Sequence, residues 1–264
     1  MQSTQHHISI YPRGMKMRVT LTLVMVALFY FFSLHKTESD FIEFFSNLDV
    51  VFMKLLSMFP PNWDYIPHAI GPLIETIQIA IVATTFSVII CIPLSLLSAN
   101  TIVKNQYVYY FFRNLLNLMR TIPDILLATL FVSLFGVGIL PGILALTVFS
   151  LGILAKLLSE TIETIDPRQL EAIQSTGGNL LQVIWYGVVP QVLPQFISYG
   201  LYVFELNVRA SLVLGFVGAG GIGSIIDTQL NFLQYKNVMA ILILLLAAVI
   251  FIETVSNFLR RRVV

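Results

Sequence analysis

The sequence predicts an all-α, polytopic membrane protein with six transmembrane helices. Three observations carry that reading. Of 264 residues, 57% are hydrophobic and only 11% charged, against about 45–50% and 25% in a soluble domain. Six stretches stay apolar over the ~20 residues that a spanning helix needs. The basic residues are also divided unevenly between the loops. A chain this apolar cannot coat a soluble fold, and it is too hydrophobic to be disordered. A net charge of +1 supplies no basic field for nucleic acid. Eleven prolines and fifteen glycines predict helices that break or kink within the membrane.

The first span covers about Met17–Leu34 and follows Arg13, Lys16 and Arg18, as a signal peptide would. The next residues, SLHKTESD, offer no small-x-small cleavage site, so a retained helix is expected. In the loop that follows, Leu48, Val51, Phe52, Leu55, Leu56 and Phe59 share one helical face. This pattern predicts an amphipathic helix on the outer interface. Trp63 and Tyr65 in the turn PPNWDYIP suit the headgroup belt.

The remaining spans are expected at about Ala69–Ala99, Arg113–Val137, Ile139–Leu158, Gln195–Val217 and Val238–Leu259. Residues 1–68 then form an N-terminal tail, first span and outer loop, and 69–264 a core with a cytoplasmic loop at about 159–194. Six spans place both ends on one side with ten basic residues: Arg13, Lys16, Arg18, Lys104, Arg113, Lys156, Arg168 and Arg260 to Arg262. Only Lys36, Lys54 and Lys236 face the other side. The positive-inside rule makes both termini cytoplasmic.

Several chemistries drop out. His6, His7, His35 and His68 form no HExxH, and Cys91 alone builds neither a disulfide nor a cysteine zinc site, so no metal is expected. No GxSxG elbow and no P-loop occur, so no catalytic residue is assigned. Gly218, Gly220 and Gly223 spell GxGxxG, but they follow a membrane span, with no acidic residue about twenty positions on. Gly218, Gly220, Gly221 and Gly223 are read instead as backbone that approaches backbone, or breaks a helix at a cavity or gate.

The loop ETIDPRQLEAIQSTGGNLLQVIWYGVVPQVLP is the informative stretch. Asp166 as N-cap and Pro167 at the first position start a helix, with Gln169 placed as a capping-box partner. Gly177 and Gly178 stop it. A second short helix is expected over about Asn179–Tyr186, before Pro190 and Pro194. A helix capped at both ends and held outside the bilayer is a docking element or an ordinary loop helix.

These residues resemble a motif in permease subunits of binding-protein-dependent ABC importers: EAA, three residues, Gly, nine residues, Ile-x-Leu-Pro. Glu171, Ala172, Gly177 and Pro190 fall at its spacing, while Ile173 replaces the second alanine, Gly187 the isoleucine and Val189 the leucine. FELNVRASLVLGFVGAGGIG at 204–223 and RTIPD at 120–124 are similar to the phosphonate-uptake branch. The resemblance implies a type I ABC importer permease fold in a bacterial cell membrane. It implies a second permease copy, an external binding protein and a pair of separate ATPase subunits that use the ATP. No cofactor is then bound directly. In that scheme Glu171 offers charge to a basic partner, Ala172 keeps the docking face small and Gly177 makes the turn. The alternatives are a permease for another solute, such as an amino acid or osmolyte, and an ATP-independent six-span transporter or channel.

Ionisable residues inside spans need a reason, since each costs about 2.5–3.5 kcal/mol on insertion scales. Glu205 and Arg209 stand four apart on the fifth span, and Arg120 and Asp124 four apart on the third, around Pro123. Each pair is expected within its own helix, with a kink at Pro123. Either the arginines are neutralised there, or Arg120, Glu205 and Arg209 line a path for an anion. Counted from Gln195, Arg209 falls in the outer half of the core. Glu75 and Glu253, near span ends, are given no function.

Overall fold

The computed structural model describes residues 13–36 and 45–263. His6, His7, residues 37–40 of the cleavage-site argument, and Val264 lie outside them, as do the side chains of Arg13 and His35. Among the described residues every regular element is helical. The chain divides into two compact units, Met1–Leu56 and Ser57–Val264.

In the first unit, α1 (Arg13–Lys36) is apolar on every side along its central turns. Thr20 and Thr22 donate to the carbonyls of Lys16 and Arg18, each at 2.9 Å. Hydroxyls bonded back to the helix present little polarity to lipid. α2 (Leu48–Ser57) is the amphipathic helix, with Asp49 in its first turn and Lys54 in its last, the order that the helix dipole favours.

The second unit opens with a 3-10 turn, Trp63–Tyr65, leading into α3 (Ile66–Leu97). At 1.5 Å per residue its 32 residues run ~48 Å, longer than a bilayer core. Apart from Ile79 its buried face is small or hydroxylic, with Thr76, Ala80, Ala83, Thr84, Ser87 and Ser95 among its residues. Small residues let helices approach closely, and Ser87 Oγ donates to Thr147 O on a neighbouring helix at 3.0 Å.

The third span is broken, not kinked. α4 (Gln106–Thr121) and α5 (Asp124–Phe135) meet at 88°. Proline disfavours helical backbone in the residue before it. Ile122 accordingly adopts ψ 119 and Pro123 ψ 142, both extended. Among the described residues five helices are long and apolar enough to cross a bilayer, and the bent pair makes a sixth crossing when counted as one.

α6 (Ile139–Glu163) runs through the centre of the unit, packed against α3, α4, α5 and the later helix α8 (Val189–Gly215). α7 (Pro167–Ser175) leads to a capped turn at Leu180–Gln182 and a π turn at Val183–Val188, which runs directly into α8. The expected second short helix and fifth span are thus one continuous rod. After glycine-rich backbone come α9 (Ile222–Asn231), absent from the sequence reading, and α10 (Tyr235–Val263). Apolar side chains gather in three clusters: around Leu154, Ile162 and Leu170 at the α7 end, around Ile79, Leu146 and Leu214, and around Ala69, Ile222 and Ile241 at the opposite end. There Asn62 bonds the start of α10, through Lys236 O at 3.1 Å and Asn237 Oδ1 at 2.8 Å.

Candidate functional site

α7 is stopped at both ends by local chemistry. Asp166 accepts from Arg168 N–H at 3.0 Å, with Pro167 at the first position. At the far end Gly177, at φ +89, donates to Gln174 O and Gly178 to Ile173 O, at 3.0 and 3.1 Å. Those two bonds are a Schellman motif. Among the described residues the reciprocal capping box forms not between Asp166 and Gln169 but between Asn179 and Gln182, at 2.8 and 2.9 Å.

One face of α7 is buried and the other open. Leu170 is buried, whereas Arg168, Gln169, Glu171, Ala172, Gln174 and Ser175 are exposed. The buried face sits on Gly187. A Cβ there would come within 2.9 Å of Leu170 Cδ2 and 3.0 Å of Ile173 Cδ1. Gly187, which the sequence reading counted as a departure from a motif, is therefore the notch that seats α7. Pro190 is exposed in the first turn of α8, and Gln191 Nε2 donates to Gly187 O at 2.6 Å.

Just before α7 lies a charge cluster that sequence reasoning missed, apart from the visible i, i+4 spacing of Lys156 and Glu160. Arg113 Nη1 on α4 donates to both oxygens of Glu163 at 2.9 Å. Asn100 N–H reaches the same carboxylate at 3.1 Å, and Lys156 pairs with Glu160 at 3.1 Å. Two carboxylates in the last turn of α6 thus tie α4 and the α3–α4 connection to the root of α7.

The intramembrane pairs differ from the expected ones. Glu205 bonds Arg260 at 3.0 Å and Arg209 bonds Glu253 at 3.2 Å, so α8 pairs with α10 and not with itself. An antiparallel neighbour brings an opposite charge closer than the next turn does. Arg120 and Asp124 are separated by the break. Asp124 Oδ1 accepts from Ile125 N–H at 2.9 Å. Among the described residues Arg120 makes no ion pair, and it is exposed where Gly152 of α6 lets the end of α4 approach.

Arg209 follows a buried polar contact on α8. Two residues before it, Asn207 is fully buried, accepting from Ser150 Oγ at 2.7 Å and donating to Thr84 Oγ1 at 2.9 Å. Those partners lie near the middles of α6 and α3, so Asn207 is level with the middle of the bundle. The Thr84–Asn207–Ser150 chain had no sequence signal beyond three polar residues in apolar runs.

α8 ends at Gly215, against Gly223. Gly218, Gly220 and Gly221 have φ of +86, +80 and +75, values that side chains rarely tolerate. A Cβ on Gly223 would land on Leu212 O. Glu75 is engaged here: its Oε1 accepts from Gly221 N–H at 2.8 Å.

Residues 91–264 match the family of binding-protein-dependent transport system inner membrane components. The phosphite transport system permease protein PtxC of Stutzerimonas stutzeri is 37% identical over 202 residues, 76% of this chain and 74% of that protein. The putative cryptic phosphonate transport system permease protein PhnE2 of Escherichia coli (strain K12) is 43% identical over 118 residues, 45% of this chain and 97% of that one. An inward-facing structure of the MetNI methionine ABC transporter superposes with a TM-score of 0.66 at 23% identity, covering 74% of this chain and 96% of that chain. That likeness is one of fold, the type I importer permease fold. The chain accordingly belongs to the binding-protein-dependent transport system inner membrane components.

Proposed function

We propose that the chain is the transmembrane permease subunit of an ATP-driven importer for phosphite, phosphonate or a related phosphorus oxyanion. The oxyanion class rests on the names of the relatives at 37% and 43% identity. The permease works as one of two copies in the bilayer, with both termini in the cytoplasm. An external binding protein delivers the solute to its outer face, and a pair of separate ATPase subunits hydrolyses the ATP. Nucleic acid has no part in this scheme.

The observation that carries the ATPase partnership is α7. A helix fixed by an aspartate cap and a Schellman stop, seated on Gly187, transmits a push that a flexible loop would absorb. Its open face presents Glu171 and Ala172, the charge and the small contact that an ATPase groove takes. Arg120 is the pathway cation in this reading. Among the described residues it has no carboxylate partner, whereas Glu253 neutralises Arg209 and Arg260 neutralises Glu205. A guanidinium suits phosphorus oxygens. The backbone at Gly218, Gly220, Gly221 and Gly223 forms the gate.

The test is co-purification with the ATPase. Glu171→Lys and Gly177→Val should leave the permease in the membrane and remove the ATPase from it, whereas Gly177→Asn, which tolerates the left-handed turn, should retain it. Undiminished co-purification in both damaging variants would remove the docking assignment. Ligand affinity of the binding protein decides the solute: binding of an amino acid in place of an oxyanion would overturn the substrate class.

A further inference from the structure

The backbone between α8 and α9 has to be satisfied inside an apolar bundle, where water is scarce. The N–H groups of Phe216, Val217, Gly218 and Ala219 turn back to carbonyls of the last turn of α8, at 3.1–3.2 Å. Gly218 O accepts from Gly138 N–H at 2.9 Å. The N–H groups of Gly221 and Ile222 go elsewhere. Gly221 donates to Glu75 Oε1 and Ile222 to Thr76 Oγ1, both at 2.8 Å. Both acceptors belong to α3, which is 146 residues away in sequence.

Gly221 is the N-cap residue of α9 and has no side chain to cap with. The cap is supplied by another helix, and a carboxylate at a helix N-terminus is favourable to its dipole. The fit is tight. A Cβ on Gly220 would stand 2.7 Å from Glu75 Oε1, and one on Gly221 would stand 2.6 Å from Thr76 Oγ1. Ala219 and Ile222 are packed into the core on either side, whereas Gly220 and Gly221 between them have no side chains to pack, so directional bonds set the position of that backbone. Removing them frees a segment that several backbone conformations suit.

We infer that Glu75, with Thr76 beside it, is a positioning residue that holds the glycine segment in register against α3, and that transport depends on that hold. The hold stands on the hydrogen bonds alone; its link to transport rests on the permease reading. What matters is the acceptor oxygen, since the donor is a neutral backbone amide.

The experiment places Val217→Cys in a Cys91→Ala background and uses the full complex in liposomes. It reads thiol labelling at position 217 and uptake of phosphite and methylphosphonate. Glu75→Gln keeps an acceptor oxygen and should stay within about twofold of the parent in both readouts. Glu75→Leu keeps the bulk and loses the acceptor. Labelling should rise, and uptake fall, about tenfold, the scale of one lost buried hydrogen bond. Gly220→Ala displaces the carboxylate without altering α3, and should raise labelling even where Glu75→Leu assembles poorly. Unchanged labelling in both Glu75→Leu and Gly220→Ala overturns the hold. Raised labelling with normal uptake overturns the dependence of transport, and a Glu75→Gln variant as impaired as Glu75→Leu overturns the acceptor role. If the parent imports neither oxyanion, the substrate reading fails and labelling still decides Glu75.

Discussion

Arg260 reaches from the end of α10 to Glu205 on α8, its Nη2 donating to the carboxylate at 3.0 Å. The Glu205 side chain is only 12% exposed, and a second bridge, Arg209 to Glu253, joins the same two helices. Two crosswise bridges fix the register of α8 on α10.

The two bridges should respond differently to mutation. Arg260→Gln strands a largely buried carboxylate and should cost about 2–3 kcal/mol, mostly recovered by adding Glu205→Gln. Arg209→Gln breaks a half-exposed pair and should cost about 1 kcal/mol or less. Thermal unfolding in detergent measures both. Equal costs would contradict the difference in burial.

Restoring the family's isoleucine at position 187 should harm the protein. The added side chain has to displace Leu170 and Ile173, an overpacking worth about 1–3 kcal/mol locally. Gly187→Ile should therefore lower ATPase co-purification while Leu170→Ala in the same chain partly restores it. Co-purification of Gly187→Ile at the wild-type level would show that α7 does not need this seat.

Asn207 should be intolerant of simple truncation. Asn207→Ala orphans Ser150 Oγ in a dry interior and opens a cavity, for a loss of about 2–4 kcal/mol. Asn207→Leu with Ser150→Ala fills the space and removes the stranded hydroxyl, and should lose less. The comparison is made by thermal unfolding. If the double variant is the less stable one, the network contributes more than satisfaction of its own polar atoms.

Arg120 should matter to rate and not to assembly, since no carboxylate among the described residues depends on it. Arg120→Gln should assemble with the ATPase and import oxyanion about tenfold more slowly, with Arg120→Lys intermediate because it keeps charge without the planar fork. Normal uptake in Arg120→Gln would remove the arginine from the path.

What the sequence made legible was local. Asp166, Pro167 and Gly177 define α7 because each acts within a turn or two of itself, and the long apolar runs identify spans because lipid asks only for length and hydropathy. Partner choice was not local. Glu205 and Arg209 have a favourable spacing within one helix, and nothing in that spacing reveals that α10 lies alongside with Arg260 and Glu253. Pro123 was visible as a disturbance, but whether it bends or breaks a helix depends on the backbone of Ile122. Glu75 was unreadable for the same reason as Asn207: its partner is a segment far along the chain. α9 was hidden because ten residues of mixed character after a glycine run look like a loop.

The seat of α7 has a mechanical consequence. Leu170 and Ile173 fill a hollow whose floor is a missing side chain, and dispersion forces fall off within an ångström of separation. Such a joint yields little to compression. Force along the line from α7 to Gly187 therefore enters the rod of α8 by direct contact, with no intervening loop to absorb it.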